Sequence, residues 1–371
     1  MKTKVCIMTS VHPPFDTRIF HKQAKTLAKA GYQVTLIAQH DRDVVVDGIK
    51  IIALPKPKNR FWRMLGTWRI FKLALRQNAD VYHFHDPELL PAGLLLKLLT
   101  KCKVIYDVHE DYPAAILTKH WLASPVRKPV ARLFNSLEKW ATSRLDYIIT
   151  ATDDITGKFG RTGKVATIKN YPLLERIVPS TRRGMGQPTL VYAGGLSEER
   201  GISEMVQAMA YLNSPRNARL VLYGKFEPES YGEIVQELQG FDRVEYRGWI
   251  EPGELWRMMN QVDAGIVCLR PVERYTVAMP VKLFEYMAAG LPVIASNFPL
   301  WQEIVESNHC GLTVDPLEPK DIARAIEYLI EHPEEARKMG ENGRKAVLEK
   351  YNWEKESKKL LALYQDLLKR R

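Results

Sequence analysis

The chain holds four cysteines in 371 residues, at positions 6, 102, 268 and 310, with no CxxC pair and no Cys/His cluster. That excludes a disulfide framework and a thiolate zinc site, and it suits a reducing compartment. No apolar run approaches the roughly 18 residues of a membrane-crossing helix. The apolar stretch in the opening MKTKVCIMTS is too short for a secretory signal, so residence in the cytoplasm is expected. GxGxxG and GxxxxGK[ST] are both missing, which withdraws support from dinucleotide and P-loop readings.

Acidic residues are also missing locally. None lies between Asp47 and Asp80, a gap holding KPKNRFWRMLGTWRIFKLALR, in which seven basic residues alternate with Phe61, Trp62, Trp68 and Phe71. A second acid-free stretch runs from Tyr112 to Leu137. The net charge of +11 belongs to the first half: 28 basic against 14 acidic residues up to position 170, and 26 against 29 after it. No RNA- or DNA-binding motif accompanies this charge, so no nucleic acid partner is expected. Basic segments interleaved with Trp and Phe suit an anionic membrane surface, and a peripheral contact is expected through the stretch from Lys56 to Arg76, at the inner face of the cell membrane. A solvated basic helix with its aromatics in the core is the plainer alternative.

What is present is an alternation of short buried-looking strands with helices, twice over. KVCIMTS, YQVTLIAQ, ADVYHFH, KVIYDVH and LDYIITAT mark one unit; TLVYAGG, ARLVLYG, RVEYRGW, AGIVCLR, LPVIAS and CGLTVDP mark another. LERIVPSTRRGMGQP between them reads as a linker. The expected architecture is α/β: two Rossmann-like domains facing a cleft, over residues 1–172 and 187–352, with residues 353–371 as a helix packing back on the first. Ligands in such folds gather at the carboxyl ends of strands.

Two motifs stand at such ends. YAGGLSEERG puts Gly194 and Gly195 between a strand and a helix, a turn whose amides can approach phosphate; Arg200 adds a planar fork of donors suited to a diphosphate. An ordinary tight turn is the competing reading. MPVKLFEYMAAGLPVIAS carries Glu285 on a short, mostly apolar helix, with Lys282 three residues earlier on a nearby face. A carboxylate there can accept two ribose hydroxyls and leave Lys282 for phosphate. A weak surface pair between the two is equally open.

Together these segments resemble the family 4 glycosyltransferases of the GT-B fold over nearly the whole chain. KLFEYMAAGLPVIAS is similar to that family's LEAMACGTPVVAS, YAGGLSEERG to its GRLxxxKG turn, and IKNYP stands where the family has PNG. The resemblance implies that Glu285 binds the nucleotide ribose and Arg200 the diphosphate, and that Ile250 after RGW lies where backbone contacts the base. It extends the donor side to Gly194, Gly195, Lys282 and Leu283. YDVHEDYP is similar to the strand end whose histidine, here His109, sits beside the donor sugar, and VYHFHDPELLP places His85 and Asp86 on the acceptor side; His83 is expected to point elsewhere on that strand. His109, Arg200 and Lys282 are the expected catalytic groups.

The chain also departs from the family. Gly195 replaces the arginine of GRL, and Val277 stands where many members carry the first glutamate of E-x7-E. Backbone amides of Thr276, Val277, Ala278 and Met279 are expected to hold the sugar instead. HPPFDTRIF replaces a glycine pair, so Asp16 and Arg18 are expected to face the cleft toward the acceptor, or else to tie their loop together.

The implied reaction moves a sugar, with retention, from a nucleoside diphosphate (UDP favoured) to a saccharide or lipid-linked acceptor in cell-envelope or exopolysaccharide synthesis. No cofactor and no metal are expected. No DxD of the metal-chelating kind is recognised, and TDDI around Asp153 is misplaced for it. A sugar-nucleotide epimerase using Glu110 and Asp111, and a non-catalytic sugar-nucleotide binder, are the rival readings.

Overall fold

The computed structural model describes residues 2–117, 122–160, 164–177, 186–213 and 217–369. Two compact units account for them: Met1–Asn170 with Trp353–Arg371, and Tyr171–Asn352. Of the linker read from the sequence, residues 178–185 lie outside the described residues.

The first unit is built on an eight-stranded sheet of β1 (Lys4–Met8), β2 (Gln33–Gln39), β3 (Val44–Val46), β4 (Ile49–Leu54), β5 (Val81–Phe84), β6 (Lys103–Val108), β7 (Tyr147–Thr150) and β8 (Val165–Thr167). Its order is β3-β4-β2-β1-β5-β6-β7-β8. Val, Ile and aromatic runs form the central strands because helices cover both faces, so no polar alternation is required. All pairings are parallel except β3 with β4, a hairpin that turns on Asp47 (φ 51°) and Gly48 (φ 76°). Two left-handed residues in that order make the turn that matches strand twist.

The helix after β1 opens with wide π-type turns over Thr17–Ala24 and continues as α1 (Lys25–Lys29). The Asp16 carboxylate caps it, accepting the N–H groups of Arg18 at 2.8 Å and Ile19 at 2.9 Å. Helices α2 (Arg60–Leu75), α3 (Leu90–Leu99), α4 (Tyr112–Leu117) and α5 (Ser124–Thr142) follow. Residues of α2, α3 and α5 share one buried cluster with Cys6, Met8, Tyr82, Phe84 and Tyr106, so these helices cover the same face of the sheet. The C-terminal helix, Trp353–Lys369, belongs to this unit: Trp353 Nε1–H donates to Thr26 Oγ1 at 3.0 Å, and Glu356 Oε2 accepts the Lys169 N–H at 2.9 Å.

The second unit has a six-stranded, all-parallel sheet of β9 (Thr189–Ala193), β10 (Arg219–Tyr223), β11 (Val244–Tyr246), β12 (Ala264–Val267), β13 (Val293–Ser296) and β14 (Gly311–Val314), ordered β11-β10-β9-β12-β13-β14. Strand order reverses beside β9, the position where open α/β sheets leave a crevice at the carboxyl ends. Gly194 and Gly201 stand there.

Candidate functional site

In the second unit, the helix Val281–Ala288 starts behind Pro280 and is fixed by Tyr286. That ring lies where Gly265 of β12 has no side chain, since a Cβ there would overlap it, and its hydroxyl accepts the Ala193 N–H at 3.1 Å. Lys282 is one turn before Tyr286 and on the same face. It is thereby carried to the end of β9, where a Cβ on Gly194 would overlap its Cε and Nζ. Gly194 (φ 154°) is thus required both for its backbone angle and for the ammonium group against it. Trp301 Nε1–H holds the loop ahead of the helix through Ala278 O at 2.7 Å.

Arg200 reaches the same turn from the other side. A short 3-10 turn over Glu198–Arg200 ends at Gly201 (φ 68°), whose Cα sits so close to Cys268 O that a side chain could not fit. The guanidinium lies 5.7 Å from the centre of the Tyr275 ring and beside Tyr192, whose hydroxyl donates to Gly195 O at 3.1 Å. Beside Gly195 there is ordinary van der Waals room: a Cβ would stand 3.7 Å from Arg200 Nε. Burial pushes Lys282 down to about 8, and the neighbouring Arg200 charge adds to this while Glu285 opposes it. Two cations facing one glycine turn, one of them driven toward neutrality, form a site that an anion would complete.

Glu285 is half-buried on the same helix, three residues past Lys282. Val277, in the place of the family's first glutamate, is an exposed side chain. Leu283 is fully buried, so its side chain belongs to the core rather than to a ligand, and Ile250 packs half-buried against that core. Of the amide grip expected over residues 276–279, two of the four groups already have partners within the protein. The Thr276 N–H goes to Val272 O at 3.2 Å and the Ala278 N–H to Tyr275 O at 3.3 Å, because both close the turn Glu273–Thr276. Tyr192, Tyr275 and Tyr286 escaped the sequence reading, although Tyr286 stands at the i+4 position from Lys282.

In the first unit, the residues assigned to the acceptor side are mostly internal. Arg18 is buried and does not face outward: its guanidinium meets both oxygens of buried Asp107, at 2.9 and 3.1 Å from Nη2, and donates to Ile168 O at 2.8 Å. Asp16 caps the helix through the backbone of Arg18, so the loop tie is real but does not involve the arginine side chain. Asp86 is buried too and accepts the Thr9 hydroxyl at 2.7 Å and the Ser10 N–H at 2.6 Å. His85 is fully buried. His83 shares its direction, contrary to expectation, since residues two apart on a strand point the same way; the rings stack 4.7 Å apart.

Asp107 near the end of β6 and His109 just past it repeat that spacing next to β5. Four side chains therefore converge: His109 Nε2 lies 2.9 Å from His85 Nδ1 and 3.3 Å from Asp107 Oδ1, and His83 Nδ1 lies 2.9 Å from the hydroxyl of Tyr364. His109 alone of these keeps some exposure, at 16%. Burial works against the Asp107 carboxylate, but Arg18 and His109 outweigh it and hold Asp107 well below the usual carboxylate range. Burial also pushes His85 and His83 below their ordinary value, favouring the neutral rings. His83, His85 and Asp107 could in principle ligate a metal ion. The Arg18 guanidinium already occupies both Asp107 oxygens and would repel one.

Replacing Arg18 by alanine should strand that carboxylate and destabilise the protein by about 3–5 kcal/mol. Denaturant unfolding checks this, and a change below about 1 kcal/mol would show the pair to be unimportant.

The sequence also contains one D-x-D spacing passed over above, Asp41-Arg42-Asp43. Asp43 Oδ1 accepts the Ala53 N–H at 2.8 Å, a role in the sheet edge. Asp111 caps a helix through the Ala114 N–H and pairs with Lys158, which ill suits it to acid–base work.

Residues 175–346 match the family described as glycosyl transferases group 1, and residues 17–170 match glycosyltransferase family 4. Among curated relatives, the MMP alpha-(1->4)-mannosyltransferase of Mycolicibacterium hassiacum is 23% identical, over 85% of this chain and 76% of its own. Glycogen synthase of Mycobacterium tuberculosis is 21% identical over 91% and 87%. Among solved structures, sucrose-phosphate synthase from Thermosynechococcus elongatus superposes with a TM-score of 0.80 at 19% identity, covering 100% of both chains. Anabaena HepE, solved in complex with UDP-glucose, gives 0.73 at 13% identity over 98% and 99%. Two family matches that together span the two units, and neighbours of one architecture, lead to one assignment. The chain is a glycosyltransferase of the family 4 type with the GT-B fold.

Proposed function

We propose that the protein transfers a sugar, with retention of anomeric configuration, from a nucleoside diphosphate to a saccharide or lipid-linked acceptor in envelope or exopolysaccharide synthesis. The observation carrying this reading is the convergence of Lys282 and Arg200 on the Gly194–Gly195 turn at the end of β9. Charge grows on the departing diphosphate as the glycosidic bond breaks, and cations held in place beforehand lower that barrier most effectively. Glu285 takes the ribose hydroxyls. UDP is favoured as the carrier, in keeping with the HepE complexes that hold UDP and UDP-glucose.

His109, with Nε2 anchored by His85 and Asp107, lines the donor-sugar side, and the cations require no metal to assist them. Asp16, of the four residues assigned to the acceptor, retains partial exposure to meet it. The acid-free helix α2, with Trp62 and Trp68 exposed and Lys72 over the Trp68 ring, gives the protein a peripheral contact with anionic membrane from Lys56 to Arg76. Among the described residues no helix is long and apolar enough to cross a membrane.

A melting-temperature screen of UDP, GDP, ADP and their sugar conjugates tests the donor, since a ligand of the folded state raises that temperature. UDP-sugars should give the largest shift, and proton NMR of the first product should show the donor's anomeric configuration. No shift with any nucleotide, or an inverted product, would overturn the proposal. Formation of a new sugar nucleotide without acceptor would indicate an epimerase.

A further inference from the structure

Helix α5 exposes Val126, Val130, Leu133, Leu137 and Trp140, a spacing of four, three, four and three residues that sets them in one straight stripe along four turns. Leu133 is 62% and Trp140 53% exposed. This stripe is not the core side of the helix, which is carried by Ala131, Glu138 and Ala141. Single exposed apolar side chains need no explanation, but an aligned row of five does.

We infer that this stripe seats the protein on an anionic lipid bilayer, extending the membrane-facing surface well beyond α2. Charge points to that partner. The first unit carries 34 basic and 17 acidic residues. The one acid of α5, Glu138, is buried and accepts the Tyr106 hydroxyl at 3.0 Å, so the outward arc of the helix presents only Lys128, Arg132 and Lys139 as charged groups. At the foot of the stripe the Arg144 guanidinium stacks 4.1 Å from the Trp140 ring centre, an aromatic–cation pair suited to the headgroup boundary. Helix α3, packed against both α2 and α5, adds exposed Leu98 and Leu99, and all three helices cover one face of the sheet. The outer side of that layer therefore offers apolar rows and positive charge without exposed acid on α2 or α5, the combination that binds in the interfacial plane.

The inference does not depend on the transferase reading, and it is separable from the α2 contact. Full-length protein is floated with phosphatidylcholine vesicles with and without one third phosphatidylserine. Wild type should bind the anionic vesicles, and the double variant Leu133→Glu, Leu137→Glu should lose at least about tenfold in partitioning. Its melting temperature and denaturant midpoint should stay close to those of the wild type, which shows that the fold survives. A parallel variant with Lys58, Arg60, Arg63 and Arg69 changed to Gln reports on α2. Release of that variant with full retention of the α5 variant would overturn the α5 inference and leave the α2 contact standing. A wild-type dimer that ignores vesicles and becomes monomeric in the α5 variant would overturn it too, identifying a second copy as what covers the stripe.

Discussion

Lys282→Ala should lower turnover about 10²–10³-fold, the loss that follows removal of one preorganised charge-stabilising group. Its effect on pH dependence is more diagnostic. The ammonium of the empty protein loses its proton near pH 8, because burial and the Arg200 charge favour the neutral amine. A bound diphosphate supplies opposite charge and favours the ammonium, so binding takes up a proton in alkaline solution. Donor affinity should accordingly fall as pH rises through about 8. Stability without ligand should move the other way: between about 8 and the ordinary lysine value of 10.5, the unfolded chain binds the extra proton, so folding becomes more favourable with rising pH. Calorimetric titration with UDP across that window checks the first trend, and denaturant unfolding checks the second. Affinity that ignores pH in the wild type, or that keeps its pH slope in Lys282→Ala, would remove Lys282 from the diphosphate.

Glu285→Ala should weaken UDP binding at least about tenfold with the fold intact. A carboxylate accepting hydroxyls contributes about 1.5–3 kcal/mol for each charge-assisted bond. Each 1.4 kcal/mol corresponds to about a factor of ten. Alanine keeps the helix Val281–Ala288, being the best helix former, and Tyr286 still anchors it to β9. Titration with UDP and GDP measures the loss. Unchanged affinity for both would sink the ribose assignment.

The six strands of the second sheet and β1, β2, β5, β6 and β7 of the first were legible because parallel strands are buried on both faces and read as apolar runs, whereas β3, β4 and β8 were not read. The Asp47–Gly48 hairpin was equally legible, by its turn pair, and went unread. Lys282 and Glu285 share neighbouring faces by simple helical spacing. That Lys282 would lie against Gly194 could not be read, since it depends on Gly265 leaving room for the Tyr286 ring 21 positions away. The internal role of Arg18 was hidden for the same reason: Asp107 lies 89 residues on, and only the alignment of β1, β5 and β6 brings them together. A charged residue in a loop at a strand end has no local mark of burial. The paired spacings His83/His85 and Asp107/His109 were a visible hint, because alternation on adjacent strands places all four on one side. Two of the four amides expected to hold the sugar, those of Thr276 and Ala278, are taken up by a four-residue turn that is invisible in ERYTVAMP.

One comparison tests most directly whether the Gly194–Gly195 turn is the diphosphate seat. UDP and uridine are titrated calorimetrically into wild type and into Arg200→Ala. Loss of most of the extra affinity that UDP has over uridine, with uridine binding untouched, is the expected result. Equal losses for both ligands, or undiminished UDP binding, would contradict it.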